Sequence, residues 1–136
     1  MINNIDSGKN PKNVRRVRFM IMDTGATSTI IEAYLTAKLL TKGQKDITVT
    51  SVLQAGGIDA ELVKLATGIM LIEGVDWITI EETSIKVRIF PAFAWEEDKL
   101  PNKIATVIRD EVFGGEKTKI DYFPKSLKPS IRTIEL

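Results

Sequence analysis

From Val17 to Met22 the chain carries an apolar side chain at every position but Arg18, and then turns polar at Asp23, Thr24 and Gly25. A short apolar run closed by turn residues predicts a strand buried within a sheet. The next stretch has a different period. Thr29-Ile30-Ile31-Glu32 matches a capping box, and Ile30, Ile31, Tyr34, Leu35, Lys38 and Leu39 recur at helical spacing, which predicts a helix ending near Leu40 with Gly43 just beyond. Ile47 to Leu53 reads as a strand, and a second from about Leu62 to Ile72 follows it across Gly56-Gly57, so the two predict a hairpin. Glu73 to Asp76 is a turn, and Trp77 to Ile80 and Ile85 to Phe90 are two further strands. Ile104 to Phe113 can form a helix stopped by Gly114-Gly115, and Ser130 to Leu136, after Pro129, has strand composition. Residues 1–13 are polar and contain Gly8, Asn10 and Pro11, which marks them as a flexible arm before one domain over residues 14–136.

The 136 residues, 43% of them hydrophobic, suffice for one core. Nineteen basic and 18 acidic residues leave a net charge of +1, which gives no footprint for nucleic acid. With no cysteine there are no disulfides, thiol catalysis or thiolate metal sites, and with no histidine there is no Ser-His or Cys-His mechanism. Carboxylates are the acid-base candidates that remain. No apolar run approaches the length that spans a membrane, and Met1 to Asp6 lacks the basic and apolar regions of a signal peptide.

Asp23 is therefore the residue to explain, because a carboxylate at the end of an apolar strand is costly unless it is paired or used. An ordinary turn, in which Asp23 and Thr24 bond their own backbone, is the plain explanation. Asp23-x-Gly25-x-Thr27 also fits the phosphate-cradling hairpin of the actin, Hsp70 and sugar-kinase ATPases, but those folds need two large lobes and this chain is too short for them. The sequence around Asp23, with two apolar residues followed by Asp-Thr-Gly-Ala, resembles the active-site loop of the retropepsin-like aspartic proteases, the family of retroviral and retrotransposon proteases and their cellular relatives.

The resemblance covers roughly residues 14 to 113 and is strongest over 17 to 40. It implies an all-β fold, a closed-barrel subunit with one or two short helices, acting as a homodimer. Asp23 would be the catalytic carboxylate. It would share one proton with its symmetry mate, since two close carboxylates do not both ionise, and the ionised member would draw a proton from the attacking water. Thr24 would brace the two loops across the axis, and Gly25 would allow the sharp turn. Ala26 and Thr27 would lie along the substrate. Gly56 and Gly57 would form the tip of a flap, with Ile58 touching substrate side chains. Because only one Asp-Thr-Gly occurs, two chains must build the site. The substrate would be a peptide or retroelement polyprotein cut beside apolar side chains. No cofactor, metal, nucleic acid or membrane is implied, and the expected location is the cytoplasm or a virus-like particle.

The C-terminal third departs from the family. The second family signature, two apolar residues and a Gly before Arg and Asp or Asn, has its nearest match in Val107-Ile108-Arg109-Asp110, without the glycine. Arg109 would brace the loop around Asp23. The terminal strand would either interleave with a second copy or pair within its own subunit. Trp77 and Trp95 read as packing aromatics, and Trp95-Glu96-Glu97-Asp98-Lys99 reads as a solvated loop. The competing class is a non-enzymatic module that keeps this fold for dimerisation or peptide binding.

Overall fold

The computed structural model describes residues 15–24, 29–40, 45–95, 98–122 and 132–136. The predicted arm at residues 1–13 lies outside the described residues, as do Gly25, Ala26 and Thr27. The strands are β1 (Arg16–Thr24), β2 (Thr29–Leu35), β3 (Ile47–Val49), β4 (Val75–Ile80), β5 (Ser84–Ile89), β6 (Lys119–Tyr122) and β7 (Arg132–Glu135). The helices are α1 (Val52–Ala55), α2 (Ala60–Met70) and α3 (Leu100–Val112).

The seven strands among the described residues belong to one sheet, in the order β3-β4-β5-β2-β1-β6-β7. Neighbours run antiparallel except β1 and β6, which run parallel. The two edge strands, β3 and β7, are not paired with each other, so the sheet is open and the expected closed barrel is not formed. The physical reason lies in the helices. Val17, Phe19, Ile31, Ala33, Ile78, Ile80, Ile85, Val87 and Ile120 are buried in one core with Leu62, Leu65, Ala66 and Ile69 of α2 and Leu100, Ile104 and Ile108 of α3. A helical layer thus covers the apolar face that a barrel would bury by closing on itself. Each large side chain removed from water in this way is worth about 1.5–3 kcal/mol.

The helix expected over residues 29–40 is instead the strand β2, between β1 and β5. Ile31, Ala33 and Leu35 alternate inward, and Thr29, Ile30 and Ile31 are β-branched, which favours a pleated strand over a helix. The capping-box glutamate takes no cap. Glu32 is buried on the opposite face of the sheet, where it accepts hydrogen bonds from Tyr34 and Ser84.

The expected hairpin across Gly56-Gly57 is also absent, because only Ile47–Val49 forms a strand there. Ser51 Oγ accepts from Gln54 N at 3.1 Å, and Gln54 Oε1 accepts from Thr50 N at 2.7 Å. These bonds wind the chain into the one-turn helix α1. The second predicted strand is α2, whose buried residues Leu62, Leu65, Ala66, Ile69 and Met70 follow the helical period. Gly68 lets α2 approach α3 closely, since a Cβ there would lie 2.7 Å from Val107 Cγ1.

Elsewhere the predicted strands at 17–22, 77–80 and 85–90 form as β1, β4 and β5. The predicted helix forms as α3, ended by Gly114 and Gly115 at φ +63° and +81°, with Gly115 N donating to Arg109 O at 2.9 Å. Of the two arrangements considered for the terminal strand, β7 pairs with β6 of its own chain.

Candidate functional site

β1 carries Asp23 and Thr24 at its far end, beyond a bulge. Ile21 pairs with Ile31 but Asp23 pairs with Ile30, so Met22 is the extra residue, and Thr24 then pairs with Thr29. A bulge sharpens the local twist and redirects the strand that follows it. Four residues, 25–28, link Thr24 to Thr29. The register continues across the sheet from Asp23 through Ile30 and Arg88 to Trp77. Arg88 Nη1 lies 3.2 Å from Asp76 Oδ2. Among the described residues this register places no second carboxylate opposite Asp23.

A cavity of about 320 Å³ opens beside this strand end, lined by Ile21, Thr29 and residues 91–95. That is on the order of ten water volumes. Its walls are mainly apolar, with the Thr29 side chain as a polar element. The 91–95 segment is fixed from several sides. Phe90 N donates to Gly74 O at 2.9 Å, and Ala94 N donates to Asp98 Oδ2 at 2.6 Å. Gly74 sits at φ +106°, and a Cβ there would come within 2.9 Å of the Phe93 ring, so only glycine lets the chain turn and the ring close over it. Trp95 is buried edge-on to Phe19, with centroids 5.1 Å apart, as a packing aromatic. Its Nε1 is buried without a hydrogen-bond partner among the described residues.

Of the predicted substrate-side residues, Gly56, Gly57 and Ile58 are among the described ones. Gly56, Gly57 and Ile58 join α1 to α2. The first turns of α2 share a cavity of about 330 Å³ with Lys38 and Leu39, which follow the end of β2 remote from Thr29. α2 then runs 11 residues, about 16 Å, towards Gly74 and the Asp23 end of the sheet. The glycine pair therefore turns the chain between two helices and does not form the tip of the expected hairpin. Arg109 is likewise displaced. It lies in the last turn of α3, whose end shares that remote cavity through Glu111 and Val112, and its guanidinium bonds Asp110 Oδ1 at 3.0 Å.

The wall formed by residues 91–95, with Phe93 closed over Gly74, is the part of the site that sequence reasoning missed. Its signal was Pro91-Ala92-Phe93-Ala94-Trp95, an aromatic-rich segment directly after a strand. No helix among the described residues is long and apolar enough to cross a membrane. The described residues hold no group of three or more acidic side chains arranged to bind a metal ion. The sequence matches no protein-family model and no curated protein.

Proposed function

We propose that the chain is one subunit of an aspartic-type endopeptidase in which Asp23 from two copies shares a proton and activates a water against a peptide carbonyl. The observation that carries this reading is the position of Asp23 and Thr24: they end a strand past a bulge, at the strand end beside an apolar pocket, with no second described carboxylate in register within the chain. The pocket suits an apolar side chain flanking the cut, and polyprotein processing in a retroelement is the matching task. A homodimer follows from the need for a second carboxylate.

The second reading is a non-enzymatic module that binds peptide or dimerises. The location of Gly56-Gly57 favours it, because the expected cover over the substrate is missing from that segment.

Cleavage of an unfolded protein substrate between about pH 4 and 7, by wild type and by Asp23→Asn, separates the two. The protease reading expects an acid-side optimum and loss of nearly all activity in the variant, whose amide has the shape of the carboxylate but cannot act as base. It also expects specific activity to fall on dilution as dimers dissociate. No cleavage by either at dimeric concentration decides for the module, and equal cleavage by wild type and variant rejects Asp23 as the catalytic group.

A further inference from the structure

The sheet face turned away from the helices changes character along the strands. Remote from Asp23 it is polar: Arg18, Tyr34 and Ser84 stand in one row, and Glu32, Lys86 and Thr79 in the next. Towards Asp23 it turns apolar. The row that begins at Asp23 runs through Ile30 and Arg88 to Trp77. Met20 and Met22 adjoin it on β1, alternating with the buried Phe19. Phe90, one residue past β5, follows Arg88 at the next outward position and is held there by the bond from its N to Gly74 O. Met22 is 51% exposed and Phe90 45%, and Met20, Ile30 and Trp77 are half-buried. Single exposed apolar side chains are ordinary on a protein surface, but these five are neighbours.

The backbone and the charges say what covers them. β2 and β5, which carry Ile30 and Arg88, are paired on both sides, so a partner reaches this row through side chains and not by adding a strand. Asp23 apart, the ionic groups of the apolar end among the described residues are Arg88 and Asp76, 3.2 Å apart and each about a third exposed. They leave no surplus of cations, which an anionic lipid surface or an acidic partner would call for. A cation beside an anion is instead self-complementary, as a surface must be to meet its own copy across a two-fold axis. The polar rows through Glu32 and Tyr34 border the apolar end as a rim borders an interface core.

We propose that a second copy of the chain packs on this apolar end, sheet against sheet, with the two-fold axis along the row from Asp23 to Trp77. The reading of Asp23 given above supplies the need for a second copy, and the proposal rests on it to that extent. An axis along the row brings the two Asp23 positions opposite each other, across the spacing of about 10 Å at which sheets stack. It also sets Arg88 against the partner's Asp76. The apolar side chains around that ion pair leave water on association, which supplies the attraction.

Sedimentation equilibrium of the full chain tests the proposal. Wild type is expected to dimerise reversibly, and Met22→Lys and Arg88→Asp are each expected to raise the dissociation constant about tenfold or more. Leu53→Lys, at a site 90% exposed on α1, should leave it unchanged. Arg88→Asp and Asp76→Arg each make the surface repel its own copy, so a mixture of the two should recover an association that neither shows alone. A monomeric wild type, a dimer indifferent to Met22→Lys and Arg88→Asp, an equal effect of Leu53→Lys, or a mixture that stays monomeric overturns the proposal.

Methyl NMR of the methionines in wild type decides the matter even if a variant does not fold. On dilution the Met20 and Met22 methyl signals must shift while that of the buried Met70 holds, and dissociation without those shifts refutes this interface. A dimer that shows the shifts but cuts no substrate refutes the protease reading and leaves the interface standing. A dimer that cuts substrate with Met20 and Met22 unshifted refutes the interface alone.

Discussion

The two faces of the sheet solve the same problem with different means. On the helix-covered face, Phe19, Ile31, Ile78, Ile85 and Val87 are stabilised by leaving water, an effect that needs close packing but no particular partner. On the other face, Glu32 and Asp121 are nearly as buried, yet each depends on named donors: Tyr34 and Ser84 for the first, Thr133 together with Arg16 and Arg18 for the second. The covered face should tolerate a change of shape if volume is kept. The polar face should tolerate a change of volume if the hydrogen-bond inventory is kept.

Substitutions at four positions test that contrast by urea denaturation. Phe19→Ala removes a ring that is 1% exposed and edge-on to Trp95, and should cost about 3–5 kcal/mol, whereas Phe19→Leu should recover much of the loss. A polar-sized penalty for Phe19→Ala would mean that the covered face is loosely packed. Gly68→Leu forces a side chain into Val107 where even a Cβ is too close, and should cost about 1–3 kcal/mol with a displacement of α3 visible in chemical shifts.

On the polar face, Asp121→Ala frees Thr133 Oγ1 and leaves Arg16 and Arg18 without their shared carboxylate. Both arginine side chains are more than a third exposed, so solvent screens the loss, and about 1–2 kcal/mol is expected, shrinking in high salt. A loss equal to that of Phe19→Ala would erase the distinction between the faces. Lys38→Ala breaks a pair with Glu82 in which both side chains are about two-thirds exposed, and should shift the unfolding midpoint by less than can be resolved.

The same contrast explains which parts of the fold were legible in the sequence. β1, β4 and β5 were read correctly because their apolar runs end at recognisable turns, and α3 because Gly114-Gly115 closes it. β2 was misread because its outward positions, Ile30 and Tyr34, are hydrophobic enough to imitate a helical stripe. The residue that disproves the stripe, Glu32, is polar on account of Ser84, 52 positions away. α2 was misread for a different reason: Val63, Leu71 and Ile72 fill the gaps in its helical period and make the segment look uniformly apolar. The place of Asp23 at a strand end was visible locally. The pocket wall was not, because it needs the left-handed turn at Gly74 to receive a ring 19 residues later in the chain.

The parallel pairing of β1 with β6 also sets an order of events during synthesis. β2 follows β1 within a few residues and can zip to it at once, but the partner on the other side, Lys119–Tyr122, lies roughly a hundred residues downstream. Closing so long a loop is slow compared with forming a hairpin. Until α3 has been laid down and residues 119–122 have left the ribosome, Arg16–Phe19 of β1 expose the backbone donors and acceptors that β6 later pairs. A nascent chain stalled before that point presents a sticky edge at the start of β1, and a chaperone or a premature second copy would meet it there first.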